Sequence, residues 1–303
     1  MQISIISTLY QSEQYILEFH KRISAVAKKL VGDGYEIILV NDGSPDQSLD
    51  IAIQLTEQDP HLTLIDLSRN FGHHKAIMTG LAASQGQRVF LIDSDLEEEP
   101  EWLAAFSTQM TQENCDVVYG VQQQRRGGFF ERISGWFFYR IFRLITGVLQ
   151  PNNIMTARLM SRRYVNALLL FQERELNIGG LWVIAGFRQT SYVAQKSASS
   201  PTTYNFSRKF EHVITAITSF SSRPLVFIFY SGLSILGSAL GFISYHILMY
   251  YFIAVPLNGY TSLIASIWFF SGLIIFLLGL QSIYISKIFS EVKKRPHTIR
   301  SND

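Results

Sequence analysis

From Leu225 to Val255 the chain carries no Asp, Glu, Lys or Arg, and a second uncharged run extends from Thr261 to Ser286. Only Pro256-Leu257-Asn258-Gly259-Tyr260 separates them. A bilayer core about 30 Å thick is crossed by about 20 apolar helical residues, so each run is long enough to span once with tilt. Two buried core helices of this length would rarely lack a charge altogether. The expectation is a transmembrane hairpin over residues 223–303, with spans at 225–255 and 261–286, carried by a head formed from residues 1–222.

The flanking charges orient it. Arg208, Lys209 and Arg223 precede the first run, Lys287, Lys293, Lys294, Arg295 and Arg300 follow the second, and the connecting loop has no charge. Basic flanks stay cytoplasmic, which predicts that the head and both termini face the cytoplasm and that the tail is a basic cytoplasmic one. MQISIISTLY has too short an apolar stretch and no basic region before it to be a signal peptide. Cys115 is the sole cysteine, so there is no intrachain disulfide, as in a reducing compartment. A net charge of +2 gives no footprint for nucleic acid. Small residues Gly232, Gly237 and Gly241 on one run and Gly272 and Gly279 on the other allow close helix contact, and a homo-oligomer is expected.

The head reads as α/β. Gln2 to Leu9 is strand-like, Ser12 to about Leu30 helical, and Tyr35 to Val40 (YEIILV) a short run apolar enough to be buried on both faces. Asn41-Asp42-Gly43-Ser44-Pro45-Asp46 then forms a turn with capping residues. Helix (47–58), strand (62–67), helix (76–84) and strand (88–92) follow, a βα alternation that implies a mainly parallel sheet with Rossmann-like connections. Ligands bind at the carboxyl ends of such strands, where Asp42, Asp93 and Asp95 lie.

Asp93-Ser94-Asp95 ends the last of these strands. Two carboxylates one residue apart can meet at one point if the backbone turns, and hard oxygen donors suit Mg²⁺ or Mn²⁺ with phosphate oxygens completing the shell. A solvated acidic helix start is the alternative, since Glu97, Glu98 and Glu99 follow. Asp42 reads equally as a turn or cap residue or as a ligand contact, and Arg69 as an exposed strand-end charge or a site residue.

The ordered set Asn41-Asp42-Gly43-Ser44, Ser68-Arg69-Asn70-Phe71-Gly72, Asp93-Ser94-Asp95-Leu96 with Pro100, Arg158-Leu159-Met160-Ser161-Arg162, Ile217-Thr218-Ser219-Phe220-Ser221 and Glu291-Val292-Lys293-Lys294-Arg295-Pro296 covers most of the chain. It resembles family 2 glycosyltransferases of GT-A fold, specifically polyprenyl-phosphate glycosyltransferases similar to dolichyl-phosphate mannose synthase and bacterial undecaprenyl-phosphate enzymes with two C-terminal spans. The resemblance implies an inverting transfer from a nucleotide-sugar to a polyprenyl phosphate at the cytoplasmic side of the inner membrane, in cell-envelope polysaccharide assembly. It implies that Asp42 meets the nucleotide base, that Thr8, Tyr10 and Glu13 line its pocket, and that Arg69 and Asn70 flank base and ribose. Asp93 and Asp95 would be the catalytic pair, Asp93 nearer sugar or ribose, with Asp95 and Glu97 the ligands of Mg²⁺ or Mn²⁺.

Phe129 to Leu149 (FFERISGWFFYRIFRLITGVL) places Arg132, Arg140 and Arg143 within roughly 80° on a helical wheel, opposite Phe130, Phe137, Ile141 and Val148. It reads as an amphipathic helix at about 129–149, lying in the membrane interface or packed on the domain. The resemblance implies the former, with Arg132 and Arg143 clamping the lipid phosphate, joined by Arg126. Asn152-Asn153-Ile154-Met155-Thr156 stands where related enzymes have carboxylates, which fits an acceptor that is already an anion. Glu175 is the candidate base for a hydroxyl acceptor on a lipid-linked saccharide, and a non-catalytic transferase-like scaffold is the reading outside enzymology. His73-His74-Lys75 reads as donor-pocket or surface residues, not a zinc site.

Overall fold

A computed structural model describes residues 1–122, 154–172, 178–194, 259–292 and 296–301, with isolated helical positions between 230 and 252. The elements are β1 (Ile3–Leu9), α1 (Ile16–Val31), β2 (Tyr35–Asn41), α2 (Ser48–Gln58), β3 (Leu62–Asp66), α3 (His73–Ala83), β4 (Arg88–Leu91), α4 (Trp102–Glu113), β5 (Val117–Gln122), β6 (Ile154–Ser161), α5 (Arg162–Leu168), α6 (Ile178–Ile184), β7 (Gln189–Ala194) and α7 (Tyr260–Val292).

The strands form one sheet in the order β3-β2-β1-β4-β6-β5-β7. Pairings β1·β2, β2·β3, β1·β4 and β5·β7 are parallel, while β6 runs antiparallel to both β4 and β5. The mainly parallel sheet therefore holds, with one reversed strand. Every residue of β2 is buried, as its unbroken apolar run requires of a strand covered on both faces.

Side-chain alternation divides the core into two layers. Ile3, Ile5, Leu9, Ile37, Leu39, Phe90 and Ile92 face one way, against the apolar stripe of α1 (Ile16, Phe19, Ile23, Ala27) and against α4. Ile6, Ile38, Val40, Val89, Leu91 and Met160 face the other, against α3, α5 and α6. Because β1 to β4 are parallel, their carboxyl ends fall side by side along one edge.

The helix expected from Ser12 starts later, at Ile16, because the Ser12 amide donates to the Ser48 hydroxyl (3.0 Å) and the preceding residues form a turn. The helix expected from Ala76 starts earlier, at His73, directly after Gly72 turns the chain with φ 99°.

The chain divides into two compact units, one of residues 1–137, 148–204 and 295–303, the other of 138–147 and 205–294. The end of the tail, 295–303, is grouped with the sheet domain. Within the second unit α7 covers the whole of the expected second span and is continuous for 33 residues, about 50 Å at 1.5 Å per residue. Counting only the fully described residues, no helix is long and apolar enough to cross a membrane. Most of the expected first span, the whole 129–149 helix and residues Arg126, Arg132, Arg143 and Glu175 lie outside the described residues.

Candidate active site

The carboxyl ends of β1, β2, β3 and β4 bring most of the expected donor residues to one place. At β2, Asp42 is 3% exposed, and its carboxylate accepts the amides of Phe71 (2.7 Å) and Gly72 (3.0 Å). Burial pushes this carboxyl above its usual range, although the two amides oppose that shift. Asp42 thus fixes the loop after β3. The same loop carries Arg69 and Asn70, both exposed, with the Arg69 guanidinium 4.2 Å from the centre of the Phe71 ring. Gly43 has φ +59°, and a Cβ there would lie 2.5 Å from backbone atoms of Arg69 and Asn70. Only glycine lets the two loops approach this closely.

At the end of β1, Thr8 is half-buried and Tyr10 is 48% exposed, an open aromatic face beside the Asp42 loop. The Glu13 carboxylate accepts the Gln47 amide (3.1 Å), and its own amide donates to Asp46 (3.1 Å). The pair ties the end of β1 to the start of α2. Burial disfavours the charged form of Asp46, but the Ser44 and Ser48 hydroxyls and the Glu13 and Ser48 amides outweigh it and hold its pKa down to about 2.

That depressed value makes Asp46 a stabilising group above its unfolded pKa of 3.8, and the contribution is lost as pH falls through about 2. Asp46→Asn is therefore expected to lower the melting temperature near neutral pH while flattening its decline between about pH 4 and about pH 2. An acid limb as steep as in the unmodified chain would contradict this.

After β4 the acidic motif is set by its central serine. Ser94 is buried and its hydroxyl reaches the Thr8 carbonyl (3.0 Å) and the Ser12 hydroxyl (3.2 Å). Asp93 and Asp95 flank it and are half-buried. Leu96 takes φ 59° and the Asp95 carboxylate accepts the Glu97 amide (3.0 Å), a tight turn that brings Asp95 and Glu97 together. Among the described residues no group of three His, Cys, Asp or Glu side chains converges on one point. Two half-buried carboxylates still fit Mg²⁺ or Mn²⁺, which take one or two from protein and the remainder from phosphate and water. Asp95 and Glu97 would hold such an ion.

Glu98 and Arg158 fall outside the candidate set of the sequence, and His73 belongs to the triplet that reads as donor-pocket or surface residues. His73, first in α3, is hydrogen-bonded through Nδ1 to the Thr8 hydroxyl (3.0 Å), and its Nε2 lies 3.6 Å from Asp93. With Thr8 donating, the ring proton is on Nε2 and faces the Asp93 carboxylate. Glu98 is fully buried and accepts the Thr156 amide (2.9 Å), fastening the acidic turn to β6.

Arg158, 1% exposed on β6, donates to the carbonyls of Met155 (3.1 Å) and Thr156 (3.2 Å) and lies over the Trp182 ring. Burial lowers its pKa to about 9, against the charges of Glu98 and Asp93. It lines a cavity of about 220 Å³ with Tyr119, Ile154, Trp182 and Phe187. A charge in the apolar run MTARLM was the signal for Arg158, since a strand buried on both faces leaves it no route to water. His73 gave no such signal.

The sequence matches the family described as glycosyl transferase family 2 over residues 4–169. The chain belongs to this family. The domain built from β1 to β7 is accordingly its GT-A-type α/β domain. A protein of Mycobacterium tuberculosis named "Putative glycosyltransferases" is 46% identical over 99% of this chain and 87% of its own. A bactoprenol glucosyl transferase derived from the SfII prophage of Shigella flexneri is 30% identical over 99% of this chain and 97% of its own. Glucosyl-3-phosphoglycerate synthase from Mycobacterium tuberculosis, in complex with Mn²⁺, UDP and glucosyl-3-phosphoglycerate, gives a TM-score of 0.49 at 21% identity, over 73% of this chain and 79% of that one.

Proposed function

We propose that this family 2 enzyme transfers a sugar, with inversion, from a nucleotide-sugar to a polyprenyl phosphate at the cytoplasmic face of a membrane. The observation that carries the acceptor is the full-length similarity to a bactoprenol glucosyl transferase, which covers residues 225–286 as well as the catalytic domain. The membrane location is supported by the two uncharged runs, the second of them in one unbroken helix.

The grouping of these residues at the carboxyl ends of β1 to β4 supports the following roles on the donor side. Tyr10, Asp42, Arg69 and Asn70 receive the nucleoside. Asp93, 3.6 Å from His73, sits on the sugar or ribose side, and Asp95 with Glu97 faces the diphosphate. A divalent ion bound there supplies charge neutralisation as the nucleoside diphosphate leaves. Attack by an acceptor phosphate oxygen forms the new anomeric C–O bond as the bond to the diphosphate breaks. A phosphate monoester is already anionic near neutral pH, so no general base has to remove a proton. Position 156 fits that economy: it is a threonine whose amide is bound to Glu98.

Incubating membranes that contain the enzyme with a panel of radiolabelled nucleotide-sugars, with and without Mn²⁺, identifies the donor. Label in the lipid extract supports the proposal; label confined to saccharide or protein contradicts it. The acceptor clamp is tested by Arg132→Gln with Arg143→Gln. At about 1.5–3 kcal/mol per charge-assisted contact, the double variant is expected to raise the lipid-phosphate KM at least tenfold and leave nucleotide-sugar affinity unchanged. An unchanged KM would remove these arginines from the acceptor site.

A further inference from the structure

The sheet ends at β3, and an edge strand presents unpaired amides and carbonyls along its outer side. Here residues 299–301 pair with that edge at its carboxyl end, over residues 66–68. Arg300 pairs antiparallel with Leu67, the Ser68 amide donates to the Ile299 carbonyl (3.0 Å), and the Ser301 amide donates to the Asp66 carbonyl (2.8 Å). The Thr79 hydroxyl donates to the Lys75 carbonyl, so Thr298 donates to it in turn (2.9 Å), fixing the tail to α3 as well. A segment reaching back more than two hundred residues to a sheet edge is held at both flanks of the loop that carries Arg69 and Asn70.

The bonds continue inward. The Ser301 hydroxyl donates to Asp66 (2.5 Å), whose other carboxylate oxygen accepts from the Asn41 side chain (2.7 Å). The Asn41 side-chain oxygen accepts the Ser44 amide (3.2 Å), and the Ser44 hydroxyl accepts the Gln11 amide (2.7 Å). One chain of hydrogen bonds thus joins the tail to the turns that bear Asp42 and Tyr10. Fully satisfied networks of this kind rigidify the groups they connect.

We infer that residues 296–301 are a positioning segment of the nucleotide pocket: they hold the Leu67–Gly72 loop in the form whose amides meet Asp42. Affinity for a nucleoside diphosphate then depends on the chain's last residues, which directly follow α7. This rests on the donor-pocket reading given above. The tail restrains the loop from outside and touches no substrate.

The test uses the full chain in detergent or nanodiscs, a truncation lacking residues 296–303, and Ser301→Pro, which removes the amide and hydroxyl donors together. Calorimetry with UDP, GDP and CDP, each with Mn²⁺, gives affinity, and hydrogen exchange reads the Phe71 and Gly72 amides. Truncation is expected to weaken the nucleotide that binds by about tenfold, the loss of several hydrogen bonds of ordinary net strength, and Ser301→Pro by less. The Phe71 and Gly72 amides should exchange faster in both, with β1 and β4 unchanged. If the truncated chain fails to fold, Ser301→Pro decides. Native affinity and native exchange in the variants would overturn the inference alone. Failure of the intact chain to bind any nucleoside diphosphate would overturn the donor-pocket reading, and the inference with it.

Discussion

Asp95→Asn is expected to lower turnover on the order of a hundredfold or more while the protein keeps its melting temperature. Asp95 is half-buried in a turn closed by its own bond to the Glu97 amide, and an asparagine oxygen can accept that bond. The fold therefore loses little. On the proposed mechanism the variant loses a negative charge where a divalent ion would meet the leaving diphosphate, and an amide does not replace a carboxylate as a hard ligand. Steady-state rates with saturating donor, at several Mn²⁺ concentrations, measure the effect. Full activity in the variant, or in wild-type enzyme treated with EDTA, would exclude the metal role of this pair.

The second large effect concerns Gly43. An alanine there meets two costs at once: a left-handed backbone that disfavours a Cβ, about 1–2 kcal/mol, and a methyl carbon 2.5 Å from the Arg69–Asn70 backbone. Backbone cannot swing aside as a flexible side chain does, so the 69–72 loop must shift and take its amides off Asp42. Gly43→Ala is expected to reduce donor affinity on the order of a hundredfold, from strain plus two displaced hydrogen bonds. Gly72 provides the contrast. It too has positive φ, +99°, but a Cβ there meets nothing within 4 Å. Gly72→Ala should therefore cost strain alone and bind the donor several-fold better than Gly43→Ala. Equal loss in the two variants would mean that loop approach does not govern the pocket.

The sheet's first half was legible because its chemistry is local. YEIILV can only be a strand covered on both faces, and the turn at Asn41 to Asp46 has to follow it. Asp42, Asp93 and Asp95 could be placed at strand ends for the same reason. Beyond Pro100 the local signals weaken. β6 reverses direction and pairs with strands on either side of it, a long-range choice that residue alternation does not encode. Arg158 stands in a sequence motif and is a fully buried cation on β6, over the Trp182 ring. Glu98, one of three consecutive glutamates, is buried while its neighbours stay half-exposed, because Thr156 offers it an amide from another strand. From sequence alone the tail is a plain basic end. Its short polar sequence has no strand period, and its pairing depends on an edge formed by residues 66 to 68.

His73 shows the same dependence at atomic scale. Its sequence neighbours give a histidine pair and a lysine, with no indication of a partner. Only the parallel arrangement of β1 and β4 puts Thr8 on one ring nitrogen and Asp93 near the other. An imidazole so placed lies beside the carboxylate proposed above to face the sugar side of the donor.

The most direct measurement on the central proposal is the bond made in the product. Purified full-length enzyme in nanodiscs is given polyprenyl phosphate, Mn²⁺ and the labelled nucleotide-sugar found by the panel, and the lipid product is treated with mild acid. A sugar joined through its anomeric carbon to a phosphate is released as free reducing sugar, leaving polyprenyl phosphate of unchanged mass; that is the predicted result. A lipid product that keeps its label in mild acid, or label transferred only when a lipid-linked saccharide replaces the polyprenyl phosphate, would contradict it.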